Sequence, residues 1–375
     1  MDSGLTLNVV MVGPNMSGKT VLLAVLQSRV WLPSASRIWY LDSTYNDKAY
    51  DGSLALNDIY TQIIDPNTPM PFRNQPGQFP EYGFMCRING ASDRLSPLQV
   101  QFRDIPGEDL VQPAQPGATS KSQLLAFIHE ADALIGMLDG QDIHAFITGT
   151  MTSAELHRRY FGTFSNLRQS QNRQPVHLVL TKWDLFIDPK APRQFNLGDV
   201  RRKLLEVEMF RSFVDSRHHS HIPMHLIPVS SLGVGFLDEQ HRKTGKPDVT
   251  PKNIDIPLAY VLCDALALAT IGTTSRSSVS TTVKTILGTA GYIIEPVIPG
   301  PVNIVFRILQ VAFGERQQRV SKLRKLNEDL RRRYQIITNS EEAIAVLVSD
   351  LALQKVRFEY AEEDSVLALG VRNEG

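Results

Sequence analysis

Cysteine is scarce: the 375 residues hold two, Cys86 and Cys263. Two such distant thiols make neither a disulfide framework nor a zinc set, so the expectation is a cytoplasmic, reducing compartment. Net charge is missing as well. Lys and Arg total 39, as do Asp and Glu, which leaves no global basic field for nucleic acid. No uninterrupted apolar run reaches the roughly 18 residues that a plain membrane-crossing helix needs. The short apolar run at residues 5–12 lacks a basic flank and leads straight into glycine. It reads as a buried strand rather than a secretory leader. What is present is ordinary for a globular protein: 42% hydrophobic and 21% charged residues exclude a wholly disordered or collagen-like chain. At about 150 residues per domain, the length suggests two or three domains.

Strand and helix patterns then alternate. Residues 5–12 read as a buried strand, and 20–30 carry helical spacing at Val21, Leu22, Val25 and Leu26. The segment 31–80, rich in Pro, Asn, Asp and Gly, is too long for a plain connection and reads as a functional loop with a helix near 54–64. Residues 82–89 and 97–104 read as a strand pair at an antiparallel edge. Helices are expected near 120–130, 153–171, 198–217 and 256–270, and strands at 133–138, 176–180 and 224–229. This alternation predicts an α/β domain with a mostly parallel central sheet flanked by helices over residues 1–272. Eight of the ten residues in 273–282 are Ser or Thr, the composition of a linker. A mainly helical C-terminal subdomain is expected over 283–375. It starts with an apolar stretch broken by glycine and proline. Next comes 315–333, with eight Lys/Arg against three acidic residues and a stripe of Val320, Leu323, Leu326 and Leu330. A helix over 340–354 and a hairpin of 356–360 with 366–371 complete the expectation.

The chemistry concentrates in loops that follow predicted strands. Gly13-Pro14-Asn15-Met16-Ser17-Gly18-Lys19-Thr20 fits G-x-x-x-x-G-K-[ST] between a strand and a helix. Backbone N–H groups of such a loop curl around phosphate oxygens, and the helix N-terminus adds partial positive charge. Lys19 reaches the outer phosphates and the Thr20 hydroxyl ligates Mg²⁺. Asp104-Ile105-Pro106-Gly107 ends the strand at 97–103, where Asp104 serves magnesium through water and Gly107 offers its N–H to a γ-phosphate. Thr181-Lys182-Trp183-Asp184 ends the next strand. The Asp184 carboxylate can accept from N1–H and the 2-amino group of guanine, a donor pair adenine lacks, while the Lys182 stem covers the base. Ser230-Ser231-Leu232 ends the strand at 224–229 and places backbone N–H groups for the base oxygen. Each of the last three motifs is weak alone; their order at successive strand ends is the signal.

In that order the chain resembles the P-loop GTPase superfamily over about residues 5–271. The resemblance implies GTP and Mg²⁺ binding, slow hydrolysis and a switch between GTP and GDP shapes. It further implies a protein effector or GTPase partner and a magnesium threonine within 31–80, with Thr68 the first choice and Thr61 and Thr44 as rivals. The sequence departs from the family at Asn15 and Met16 in the phosphate loop. Glu108 stands where a water-positioning glutamine is usual, and Leu232 where a lysine is. Lys19 and Glu108 are the catalytic candidates. Arg73 and Arg87 are available, but no arginine finger is identifiable. The enlarged first switch and a helical insert near 141–172 look similar to the bacterial double-GTPase proteins of conflict systems.

Two function classes follow. One is a GTP hydrolase whose switch state passes to the C-terminal helices. The other is a GTP-holding scaffold with negligible turnover, docking partners or, through 283–333, a membrane surface. His218, His219, His221 and His225 read as solvated loop residues rather than a metal site.

Overall fold

Strand alternation along β1 (Leu5–Gly13) sorts the core into two layers. Leu7, Val9 and Met11 face one layer, Val10 and Val12 the other. Both faces of the strand are therefore buried, and that is why it reads as one continuous apolar run. The structure, a computed structural model, describes residues 5–31, 38–43, 47–71, 80–89, 98–106, 121–170, 174–220, 223–238, 242–245, 248–270, 308, 311–312, 316–333 and 340–368.

Among the described residues the other strands are β2 (Trp39–Ser43), β3 (Glu81–Ile88), β4 (Leu98–Pro106), β5 (Ala133–Leu138), β6 (Val176–Leu180), β7 (Met224–Pro228) and β8 (Val366–Ala368). They form one eight-stranded sheet in the order β2-β3-β4-β1-β5-β6-β7-β8. The five strands from β4 to β7 are parallel, with Val9 opposite both Phe102 and Ala133. The edges are antiparallel: β2 and β4 flank β3, and β8 runs against β7. This is the expected mixed α/β architecture, consistent with a P-loop GTPase-like fold.

Helices cover both faces. On the Leu7 side lie α1 (Lys19–Val30), α2 (Asp47–Ile64) and α9 (Ile256–Thr270), joined by α10 (Arg316–Arg333) and α11 (Ser340–Ala361). On the other side lie α3 (Lys121–Glu130), α4 (Gly140–Ile147), α5 (Ser153–Arg168), the single turn α6 (Asp184–Ile187), α7 (Leu197–Glu206) and α8 (Glu208–His219). Starts are set locally. Thr152 and Glu155 form a reciprocal capping box on α5, and Asn196 and Asp199 do the same on α7. The segment 141–172, expected as an insert, folds as α4 and α5 on the same sheet face as α3, α7 and α8.

The C-terminal part differs from expectation. Its described residues are mainly helical, but residues 340–368 are built into the sheet and its core rather than forming a separate subdomain. Trp39 Nε1 on β2 donates to Asp350 on α11 at 3.0 Å, and Val366 of β8 pairs with His225 of β7. The expected terminal hairpin is also corrected, because residues 356–360 continue the helix. Val356-Arg357-Phe358-Glu359-Tyr360 alternates like a strand. As a helix, however, it stacks Lys355 and Glu359 on one face, Nζ to Oε1 3.9 Å, where both meet buried partners. Tertiary burial overrides the local β preference. The linker at 273–282 lies outside the described residues.

Candidate functional site

The parallel strands deliver their C-terminal ends to one edge, where ligands bind in open α/β sheets. The phosphate loop leaves β1 there. A Cβ on Gly13 would stand 2.6 Å from Met137 Cβ, so the close approach of β1 and β5 requires glycine. Gly18, at φ +84°, turns the chain into α1, and its carbonyl accepts the N–H of Leu22 at 2.8 Å. Met16 also takes a left-handed conformation, φ +65°, and its side chain is 73% exposed on the loop.

Lys19 is buried inside this loop. Its Nζ donates to the carbonyls of Gly13 and Pro14, both at 3.1 Å, and lies 3.9 Å from Asp104 Oδ1. Burial pulls its pKa down, against the opposing charges of Asp104 and Asp139, and the neighbouring Arg159 pulls the same way as burial. A buried ammonium at a helix N-terminus has the charge that suits an anion. Beside it, the Thr20 hydroxyl donates to Asp104 Oδ2 at 2.8 Å. A hydroxyl and a carboxylate are hard oxygen donors of the kind Mg²⁺ takes. Ser17 Oγ is buried with no hydrogen-bond partner among the described residues.

The loop after β6 is tied to the phosphate loop. Thr181 Oγ1 donates to the Ser17 carbonyl at 2.9 Å and to the Leu138 carbonyl at 3.1 Å. Lys182 turns through φ +52°, and its Nζ meets the Asp139 carboxylate at 2.8 Å. Trp183 N–H donates to the Val229 carbonyl at 3.1 Å. That bond sets Asp184 against the loop after β7, where its Oδ1 accepts from Ser230 Oγ at 2.5 Å. Burial pushes the Asp184 carboxyl above its ordinary pKa, while the Ser230 bond works against it. Ser230 is fixed by paired backbone bonds with Lys252, and Gly233 N–H donates to its hydroxyl at 3.0 Å. Ser231 is buried, and Leu232 packs against the core with its carbonyl accepting from Thr250 N–H.

Thus Gly13 to Thr20, Asp104, Thr181 to Asp184 and Ser230 to Leu232 come together. Thr68 does not join them. Its hydroxyl donates to the carbonyls of Gln62 (2.8 Å) and Asp65 (3.2 Å) and accepts from Lys243, closing the end of α2. Thr61 donates to Asn57 within the same helix. Gly107, Glu108, Arg73 and Thr44 lie outside the described residues. Arg87 is paired with Asp42 at 2.6 Å across β2 and β3.

The histidine reading is corrected at one position. His218 and His219 are exposed at the end of α8 and His221 lies outside the described residues, but His225 is buried on β7. It lies against His177 of β6, Nδ1 to Nδ1 3.4 Å, and both face Asp264 of α9. These three could hold a metal by spacing. The Lys355 ammonium already sits against Asp264, however, and Glu359 lies 3.4 Å from His225 Nε2, so protein charges balance one another there. The sequence held a signal for this pairing. V-H-L-V-L and M-H-L-I-P each place one histidine at the same alternate position of an apolar strand.

Also unread in the sequence was a polar chain beside the phosphate loop. Arg159 on α5 donates from Nη2 to the Asn15 carbonyl at 3.2 Å and from Nε to Asp142 at 3.1 Å. The Tyr160 hydroxyl donates to the same Asp142 oxygen at 3.1 Å and accepts from Asp139 N–H at 2.8 Å.

The chain matches no protein-family model and no curated protein. Among solved structures it is similar to the S. cerevisiae Ski7 GTPase-like domain, bound to GDP and inorganic phosphate. Identity is 14% and the TM-score 0.35, with 73% of this chain and 51% of that one covered. The chain thus spans about half the length of that structure, and the site rests on its own geometry. Among the described residues no helix is long and apolar enough to cross a membrane.

Proposed function

We propose that the chain binds GTP with Mg²⁺ and hydrolyses it slowly to GDP, acting as a guanine-nucleotide switch. The observation that carries this reading is the bond from Thr181 Oγ1 to the Ser17 carbonyl at 2.9 Å, which locks a phosphate loop to a base-reading loop. Lys19 and the loop N–H groups take the phosphates, Asp184 accepts two N–H bonds from guanine, and Lys182 lies along the base. Thr20 and Asp104 hold Mg²⁺, which when bound neutralises charge on the phosphate oxygens. Thr68, tied into the end of α2, is a poor magnesium ligand unless that turn reorganises. α11, held against β7 by Glu359 with His225 and against α9 by Lys355 with Asp264, and α10, packed on α11, are the surface from which a protein partner would read the nucleotide state. Kinship with the bacterial double-GTPase proteins belongs to this same proposal.

Calorimetry with GTP, GDP and ATP in Mg²⁺ tests the reading. It predicts binding of both guanine nucleotides and discrimination against ATP by at least about a hundredfold, since the missed pair of hydrogen bonds leaves the half-buried Asp184 carboxylate, already bonded to Ser230, short of two donors. Equal binding of ATP, or no binding, contradicts it. One observation favours a scaffold with negligible turnover: the Met16 side chain stands 73% exposed on the phosphate loop, where a stimulating group would approach. Phosphate release in the same samples separates the two.

A further inference from the structure

The layer between β5 and β6 brings an arginine to the phosphate loop, and nothing in the nucleotide reading uses it. Arg159 is 42% exposed on α5, and Nε anchors it to Asp142 at 3.1 Å. Asp142 is in turn held by Tyr160, which is fully buried. With the guanidinium plane oriented by that anchor, its outer nitrogen Nη2 rests on the Asn15 carbonyl at 3.2 Å. Lys19 sits in the same loop, bonded to the carbonyls of Gly13 and Pro14. The two cations are close enough that Arg159 depresses the Lys19 pKa. Positive groups converging on one loop and resting on its carbonyls are poised for an anion that can take bonds from both.

The geometry points to Arg159 as a ligand of the terminal phosphate, supplied by the chain itself, that exchanges the Asn15 carbonyl for that phosphate when a triphosphate binds. This rests on the nucleotide reading above. Asp142 orients the guanidinium through Nε. Because the guanidinium is one rigid plane, a small rotation of the whole side chain hands Nη2 from the Asn15 carbonyl to the phosphate. Arg suits this because its planar fork matches phosphate oxygens. In hydrolysis, a water oxygen forms a bond to the terminal phosphorus as the bond to the bridging oxygen breaks. The bridging oxygen leaves with its electron pair on GDP, and the proton lost by water is released with the phosphate. Arg159 holds the negative charge that spreads over the transferred oxygens meanwhile. A diphosphate lacks the group that Arg159 reaches.

The test measures the affinity of the full chain, with Mg²⁺, for GDP and for a non-hydrolysed GTP analogue with an imido β–γ bridge. Wild type, Arg159→Ala and Arg159→Lys are compared, with phosphate release from GTP followed alongside. Arg159→Ala should weaken the analogue by about tenfold or more and GDP by less than about twofold. Where wild-type release is measurable, it should fall by about a hundredfold or more in Arg159→Ala, and Arg159→Lys should restore affinity better than release. Unchanged analogue affinity in Arg159→Ala overturns the inference. So does an equal loss for both nucleotides, since that means Arg159 only shapes the loop. Wild type that binds neither nucleotide removes the underlying nucleotide reading, and that arm alone identifies this failure.

Discussion

Thr181 on the loop after β6 donates its hydroxyl to the backbone carbonyl of Ser17 at 2.9 Å, across 164 residues of sequence. Thr181 is 2% exposed, so this bond is made out of water. Two loops with different expected tasks thereby become one rigid surface at the edge of the sheet. Thr181→Val leaves a buried carbonyl short of a partner and should cost about 1–3 kcal/mol of stability. It should also weaken guanine nucleotide, while Thr181→Ser, which keeps the hydroxyl, should restore most of both. Urea denaturation beside calorimetry checks this, and unchanged nucleotide affinity in the valine variant would uncouple the loops.

Thr20 and Asp104 make a second prediction. The Thr20 hydroxyl meets Asp104 at 2.8 Å, and both oxygens suit Mg²⁺. Thr20→Ala should raise the Mg²⁺ concentration needed for half-maximal GTP binding by about tenfold or more. GTP binding followed against Mg²⁺ concentration reads this directly, and overlapping wild-type and variant curves would count against the assignment.

The buried charges under β6 and β7 carry the third. Lys355 is 1% exposed and held against the fully buried Asp264. Lys355→Met strands that carboxylate and should cost about 3–5 kcal/mol. Adding Asp264→Asn should recover part of the loss, because the two residues act as a pair. Denaturation midpoints of the two single variants and the double variant give the coupling. Strict additivity would refute it.

The same network sets a pH window. Burial, with the charges of His225 and Lys355, holds His177 well below its usual 6.5, so it folds neutral. Its contribution is complete above about pH 6.5 and is lost as pH falls toward the folded value. Burial pushes Glu359 up, but the His225 hydrogen bond and the Lys355 and Arg319 charges prevail and bring it from 4.5 to about 2. Its contribution is present above pH 4.5 and is lost as pH falls through 2. Burial works against the Lys355 charge too, yet Asp264 and Glu359 lift it above 10.5, so its contribution is lost only as pH rises past that value. Urea midpoints should therefore be flat across neutral pH, decline in two stages on the acid side, and lose the lower stage in Glu359→Gln.

Much of this was legible because local chemistry decides it. The run at residues 5–12, the glycine loop and the motifs at strand ends each need particular residue types at fixed spacing, and the parallel sheet follows from their alternation with helices. Thr181, Asp184 and Ser230 were readable for the same reason. Other features depend on distant partners. Val356 to Tyr360 alternates like a strand, but as a helix it brings Lys355 and Glu359 to the buried Asp264 and His225, partners distant in sequence. Thr68 looked free to bind metal, but its own turn occupies its hydroxyl. Arg159 is one of two adjacent exposed arginines on α5, and nothing in its neighbourhood along the chain tells which of them reaches the phosphate loop. β2 was hidden inside a polar segment, and Trp39 is buried there by Asp350, more than three hundred residues away.

The central claim is that Asp184 reads guanine. A carboxylate accepts two N–H donors from guanine. Asparagine offers one acceptor and one donor, which suits xanthine, where an oxygen replaces the 2-amino group. The most direct measurement is the affinity of wild type and Asp184→Asn for GTP and xanthosine triphosphate in Mg²⁺. The account predicts that the variant loses GTP by about a hundredfold or more and gains xanthosine triphosphate. If both proteins bind the two nucleotides alike, Asp184 does not read the base and the guanine-switch assignment is wrong.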